Sequence, residues 1–593
     1  MKITGAEIFC ESLRREGVKT VFGLPGGVVL KIFDVLCQRK DLQLILTRHE
    51  QGAAHMAEGY AKATGKAGVV LVTSGPGMTN IVTGLADAHM DSVPLVAFTG
   101  QVSTDLIGND AFQEADNVGI SRPCTKHNVL VKDVNDLAQA VKEAFYIATS
   151  GRPGPVLVDI PKDVSTAKAE FKYPDKINLR GYRPFSGGDK SQIKQAAEAI
   201  MTAKKPILYV GGGAVFGDAA DEVRELAEIT QIPVTMTLMG LGTFPGTHEL
   251  SLGMLGMHGG YWSNMAMHQA DLLIAVGARF DDRVTGKLSE FCPDARVIHI
   301  DIDPTSIRKT FHAHIPIVGD VKSVLRQINV VLRSLDGNPT AMKARRAPWL
   351  KQINAWKKEH PLVYKQDDKI TKPQYVVEKL YELTKHEAIV ATDVGQHQMF
   401  AAQYFKGKKP RSWLTSGGLG TMGFGFPAAI GAQVAFPNRQ VVCITSEGSF
   451  QMNLQELVVA AEHDLPVKIV LLNNGVHGMV RQWQDLFYES RYSASLLGNK
   501  PDFVKLADAY GIKGLRALRP GEVDGVLKEG LKHKGPVLMD IHTDPFENCY
   551  PMIPAGGAQH EMMLEDPPEL IQSRKDGTVH KRKVDEGEGV LPA

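Results

Sequence analysis

Short apolar, β-branched runs alternate with helical periodicity along most of the chain. The run Val69-Val70-Leu71-Val72-Thr73 leads into Ser74-Gly75-Pro76-Gly77 and then a helical pattern. A second run at 93–98 ends at Gly100-Gln101, and a third lies at 155–160. Continuous apolar strands separated by helices predict a parallel sheet covered on both faces. Ligands of such sheets bind beyond the carboxyl ends of the strands, where these glycines fall. After a polar linker at 180–189, further strands are predicted at 206–210, 272–276 and 297–300. A highly charged stretch, 333–369, reads as a second connection with helical pieces, and a third block follows with strands at 388–393, 440–445, 467–472 and 536–541. The predicted fold class is α/β, with three doubly wound parallel-sheet domains at 1–185, 190–345 and 370–565, and a polar tail at 566–593.

Composition narrows the partners. The 593 residues carry 67 Lys plus Arg against 66 Asp plus Glu, a net charge of +1, so no broad field draws the protein to nucleic acid or an anionic membrane. No apolar run reaches the roughly 20 residues of a membrane span. The N-terminal residues enter an amphipathic helical pattern without the layout of a signal or transit peptide, which predicts a cytoplasmic protein. Six scattered cysteines show no CxxC spacing and read as reduced, mostly buried thiols.

Candidate chemistry collects at strand ends. Glu50, in Arg48-His49-Glu50-Gln51-Gly52, sits between a strand and an apolar helix. Taken singly it is a helix-start carboxylate favoured by the dipole, or a functional carboxylate facing a cleft. Glu447-Gly448-Ser449 follows one apolar strand and Asn473-Asn474 the next, with Glu447 and Asn474 27 residues apart. A carboxylate and an amide oxygen at neighbouring strand ends suit a hard cation beside a diphosphate, and two ordinary loop turns are the plain alternative. Gly211-Gly212-Gly213-Ala214 resembles a loose dinucleotide fingerprint without the full GxGxxG spacing. His477 and Trp483, taken alone, are more often structural.

The conjunction of motifs is more specific. Arg48-His49-Glu50, Thr73-Ser74-Gly75-Pro76-Gly77, Gly151-Arg152-Pro153-Gly154-Pro155 and the Glu447 to Asn474 pair occur in the order of the thiamine diphosphate enzymes. Further segments include Phe22-Gly23-Leu24-Pro25-Gly26-Gly27, Asp110-Ala111-Phe112-Gln113-Glu114, the run at 277–286, Asp393-Val394-Gly395-Gln396-His397 and Gln451-Met452-Asn453-Leu454-Gln455-Glu456-Leu457. With these the chain resembles, from about residue 4 to about 563, the acetolactate synthase (acetohydroxyacid synthase) large-subunit family.

The resemblance implies a transferase that decarboxylates pyruvate and ligates the two-carbon unit to pyruvate or 2-oxobutanoate, a step in valine, leucine and isoleucine biosynthesis. It implies thiamine diphosphate, Mg2+ and FAD as cofactors, the flavin being structural. It also implies a homodimer or homotetramer with shared sites, and a separate small regulatory subunit as a family partner. Glu50 matches the glutamate contacting the pyrimidine, and Gln113, Phe112 and Lys162 match residues near the reacting centre or its mouth. Gly26, Gln396, His397, Gly420, Met422, Gly448 and Ser449 match cofactor contacts, Met422 being the apolar residue that keeps the cofactor bent. Arg152, His258, Arg279, Asp301 and Asp320 match the FAD region. Arg283 matches the arginine facing the second keto acid, and Met257, Val480 and Trp483 match its pocket. Glu447, Asn474 and the Val476 carbonyl are the expected metal ligands. The pattern departs at one place: the family's usual Gly-Asp-Gly reads Ser446-Glu447-Gly448. Rival readings are another thiamine enzyme (a pyruvate oxidase, a decarboxylase or another carboligase) or a catalytically impaired paralogue.

Overall fold

The computed structural model describes residues 2–184, 187–335, 338–498 and 500–575. The expected polar tail lies outside the described residues from 576 onward. Three six-stranded sheets dominate, and every strand pairing within them is parallel. A small antiparallel pair, Lys2–Thr4 with Lys168–Glu170, fastens the N-terminus to the first unit.

The first sheet runs Gln43–Leu46, Thr20–Leu24, Gly68–Val72, Leu95–Gln101, Pro155–Pro161, His127–Leu130. The third has the same order of connection: Trp413–Leu414, Ile389–Thr392, Val441–Thr445, Lys468–Asn473, Val537–His542, Lys513–Ala517. In both, the chain reverses its direction of travel across the sheet between the second and third strands in this order. That reversal opens a crevice beyond the strands' carboxyl ends. The second sheet runs Ser251–Met254, Val234–Met236, Pro206–Val210, Leu272–Val276, Arg296–Asp301, Ile315–Val318. Numbered along the chain this is 3-2-1-4-5-6, the order of dinucleotide-binding sheets, with its crevice between Pro206–Val210 and Leu272–Val276.

Burial explains the strand composition. Val441–Thr445, Leu272–Val276 and Gly68–Val72 are buried throughout, as strands covered on both faces must be. The first and third units pack through helices Glu50–Thr64 and Gly425–Ala435. This contact needs small residues. A Cβ placed on Gly59 would lie 2.1 Å from the Ala428 carbonyl oxygen, and one on Gly431 1.9 Å from that of Met56. Around them Ala53, Ala54, Ala57, Ala428, Ala429 and Ala432 are fully buried. The charged connection beyond residue 333 forms the helix Pro339–Glu359, which drives Trp349 and Arg346 into the middle unit. There Arg346 Nη2 donates to the Ile200 carbonyl (2.7 Å) and Trp349 Nε1 to that of Pro206 (3.1 Å). No helix among the described residues is long and apolar enough to cross a membrane.

Candidate active site

Each of the three crevices collects sequence-predicted residues. At the first, Gly26 follows Thr20–Leu24 and Thr73 follows Gly68–Val72. A Cβ on Gly26 would stand 2.4 Å from the Thr73 side chain, so the two loops touch. Glu50 opens the helix Glu50–Thr64 and is 8 % exposed. Its Oε2 accepts a hydrogen bond from Asn80 Nδ2 at 2.9 Å. The hydroxyls of Thr73 and Ser74 are buried without a partner. Gln113 has φ +60°, and its carbonyl oxygen would lie 2.6 Å from a Cβ on Gly75, so residues 112–113 overhang this loop. Phe112 is 88 % exposed, and Lys162, at the start of helix Lys162–Thr166, is exposed as well.

At the third crevice a cavity of about 310 Å³ is lined by Gly395, Gln396, His397, Met422, Ser446, Ser449, Asn474, His477 and Val480, among others. Glu447 begins the short helix Glu447–Phe450 and is 2 % exposed. Its Oε1 accepts from the Val476 backbone N–H (3.0 Å), while its buried Oε2 has no partner. Burial pushes this carboxyl up to about 7, against the pull of nearby backbone N–H groups. The Val476 N–H also donates to Asn474 Oδ1 at 3.2 Å, which brings the carboxylate and the amide oxygen to one loop. Oxygen donors of this kind, one of them buried and idle, fit a hard divalent cation. His397 is buried with its Nε2 unpartnered, and burial lowers it to about 3, so the ring is neutral. Ser449 Oγ donates to the Val394 carbonyl (3.0 Å), and Gln396 Nε2 to Gln482 Oε1 (2.7 Å) and the Glu547 carbonyl (2.9 Å).

The middle crevice opens into a cavity of about 820 Å³, lined by Gly211, Gly212, Gly213, Arg152, His258, Arg279, Asp301 and Asp320, with Met257, Arg283 and Trp483 at another part of its wall. The glycines are needed where two strand ends cross: Gly213 N–H donates to the Gly277 carbonyl (3.0 Å), and a Cβ on Gly213 would sit 2.7 Å from Gly277 Cα. Arg152 bridges Ser92 Oγ (2.8 Å) and Asp303 Oδ2 (3.3 Å). Asp301 is pushed up to about 6 by burial, and Asp320 caps the helix Val321–Ser334 through Ser323 N–H (2.8 Å). His258, with Nε2 buried and unpartnered, is lowered by burial to about 4. A long cavity with a glycine crossing, an arginine and acidic strand-end residues suits a dinucleotide.

The structure groups the acceptor-pocket candidates only in part. The Arg283 guanidinium lies 6.0 Å from the Trp483 ring, and the Met257 N–H donates to the Arg283 carbonyl (2.7 Å). Val480 belongs to the smaller cavity and is 51 % exposed. Met422, Val394, Gly395 and Met479 line both cavities and join them into one cleft. Gly420, with φ +74°, lines only the larger cavity. Glu50, Gly26, Phe112, Gln113 and Lys162 line neither. Reading residue by residue missed two supports. Asn80 holds Glu50, and Asp393, fully buried, accepts from the Gly423 N–H (2.8 Å) beside Met422. Of the two only Asp393 left a signal in the sequence, an acid closing an apolar strand. Ser446, where the sequence departs from the family's pattern, faces the smaller cavity.

Two crevices on sheets of identical connection and a third on a dinucleotide-type sheet give the chain a three-domain α/β architecture. Profiles of the thiamine pyrophosphate enzymes match accordingly: the N-terminal TPP binding domain at 3–120, the central domain at 193–328 and the C-terminal TPP binding domain at 393–541. The chain is 51 % identical over 567 residues to the acetolactate synthase isozyme 3 large subunit of Escherichia coli, covering 95 % of this chain and 98 % of that one. It is 50 % identical over 573 residues to the acetolactate synthase large subunit of Haemophilus influenzae, covering 96 % and 99 %. It is also 50 % identical over 569 residues to the acetolactate synthase of Mycobacterium leprae, covering 95 % and 90 %. The chain therefore belongs to the acetolactate synthase large-subunit family.

Proposed function

We propose that the first and third crevices are the two halves of one thiamine diphosphate and Mg2+ site, and that the middle crevice holds FAD. The chain is a thiamine diphosphate-dependent acetolactate synthase of branched-chain amino acid biosynthesis. It decarboxylates pyruvate and joins the two-carbon unit to a second 2-keto acid, giving 2-acetolactate or 2-aceto-2-hydroxybutyrate. When bound, the thiazolium supplies an electron sink for the pair left by carbon dioxide.

The observation that carries the assignment is Glu447 Oε2, buried and without a partner, beside Asn474 at the third crevice. Glu447, Asn474 and the Val476 carbonyl would hold the cation, and the backbone N–H groups around Gly420, Gly448, Ser449, Gln396 and His397 would receive the diphosphate. Glu50, steadied by Asn80 through Oε2, has Oε1 left to hold a proton on the pyrimidine ring nitrogen. Met422, which lines both cavities, would give the bound cofactor an apolar wall. Arg283 takes the acceptor's carboxylate. Met257, Val480 and Trp483 keep its pocket apolar and dry. Arg152, His258, Arg279, Asp301 and Asp320 hold the flavin.

Because Glu50 lines neither the middle nor the third crevice's cavity in its own chain, the complete site takes the first domain of one copy and the third of another, in a homodimer or homotetramer. The exposed Phe112, Leu419 and Met452 at these crevices support such a pairing. Gln113, Phe112 and Lys162 then approach the reacting centre from the partner copy. A small regulatory subunit completes the assembly, and the cytoplasm is where pyruvate is met. Incubating purified protein with pyruvate, thiamine diphosphate, Mg2+ and FAD should yield acetolactate as the main product. Acetaldehyde as main product would instead mark a decarboxylase, and oxygen uptake an oxidase.

A further inference from the structure

The corner that carries Glu50 is gripped from the third domain of its own chain. Thr47, Arg48 and His49 connect strand Gln43–Leu46 to helix Glu50–Thr64. Glu456, 0 % exposed at the end of the short turn Leu454–Glu456, reaches across the domain boundary to this connection. Its Oε1 accepts from the backbone N–H of His49 (2.9 Å) and of Arg48 (3.1 Å), and its Oε2 from Arg48 again (3.2 Å). These are the two amides immediately before Glu50.

A second feature is fitted to the same carboxylate. A Cβ on Gly52 would stand 2.6 Å from Glu456 Oε1 and 2.8 Å from its carboxyl carbon. Glycine inside a helix is less favourable than alanine. Here it keeps open the space that the carboxylate occupies. The same turn also reaches the cofactor cleft, because Asn453 Nδ2 donates to the Gly423 carbonyl (2.8 Å), next to Met422. Burial raises the Glu456 carboxyl to about 7, and the Arg48 and His49 amides and the Arg48 charge oppose it.

We propose that Glu456 is a positioning residue for Glu50: it fixes the backbone from which that carboxylate is aimed, and Gly52 is the vacancy that lets it do so. This rests on the reading of Glu50 given above. Asn80 orients the carboxylate from the side-chain end, and Glu456 orients it from the main-chain end. An aim lost by as little as about 1 Å is enough to cost a large factor in proton transfer.

The test compares Glu456→Ala, Glu456→Gln, Gly52→Ala and the double variant Glu456→Ala/Gly52→Ala, with Glu50→Gln as reference. Two quantities are read: deuterium exchange at C2 of bound thiamine diphosphate, and amide hydrogen exchange at residues 48–51 in the cofactor-free protein. Glu456→Ala should slow C2 exchange about tenfold or more and unprotect those amides, with cofactor affinity changed by less than about threefold. Glu456→Gln, which keeps an acceptor oxygen, should restore most of both. Gly52→Ala should reproduce the alanine phenotype by displacing the carboxylate, and the double variant should be no worse than either single one. Should Glu456→Ala fail to fold, Gly52→Ala decides alone: slowed C2 exchange supports the proposal and an unchanged rate overturns it. Normal C2 exchange in Glu456→Ala, while Glu50→Gln is slow, removes Glu456 and leaves Glu50 in place. Normal exchange in Glu50→Gln removes the reading of Glu50 itself.

Discussion

Glu447 carries one methylene more than the aspartate usual at its position, and Ser446 adds a side chain at the wall of the smaller cavity. Mg2+ accepts little distortion of its oxygen shell, which lies at about 2.0–2.1 Å. Ser446→Gly together with Glu447→Asp should therefore tighten thiamine diphosphate binding in the presence of Mg2+, by a factor on the order of ten, as read by tryptophan fluorescence titration. Equal or weaker binding would mean that the site has adapted to the longer acid. Trp483 faces the Arg283 guanidinium and packs on Phe487 at 5.3 Å. Trp483→Leu should keep acetolactate formation but erase preference for 2-oxobutanoate over pyruvate, an effect of roughly 1–3 kcal/mol, the worth of one methylene in an apolar pocket. Competition between the two acceptors with both products quantified tests this, and an unaltered ratio places the determinant elsewhere. At this scale the sequence is legible where an acid or amide closes an apolar run, as Glu447 and Asn474 do. Asn80 and Glu456 are not legible, because each acts on a residue brought near only by folding.

Among the elements, the fully buried strands are the ones their apolar runs announce: 272–276 and 206–210 appear with those bounds. Short or edge strands such as Trp413–Leu414 and Val234–Met236 carry too few residues to set a period. The sheet order is not written in local pattern at all, yet it is what places Gly211-Gly212-Gly213 at a crevice and makes a weak glycine motif part of the proposed dinucleotide site. That site has a consequence for the flavin. No residue here is asked to pass electrons during decarboxylation or ligation, so a redox-inert flavin analogue should support acetolactate formation within about threefold of FAD, the analogue filling the cavity as FAD does. An analogue that binds but abolishes product would give the flavin an electron-transfer role.

For the molecule as a whole, the near-neutral charge leaves association to shape and apolar contact rather than to steering. The glycine- and alanine-lined junction of helices Glu50–Thr64 and Gly425–Ala435 packs the first and third domains of one chain together, while Glu50 lines neither the middle nor the third crevice's cavity. Genetics offers a way to see this division. A Glu50→Gln chain and a Glu447→Gln chain should each be inactive alone. Co-expressed, they form mixed dimers in which one site inherits both lesions and its twin inherits neither. On the order of one quarter of all sites should then be intact in an equal mixture, since half the dimers are mixed. Two alleles that each fail to sustain growth without branched-chain amino acids would sustain it together, and cells carrying both that still fail would tie each site to a single chain.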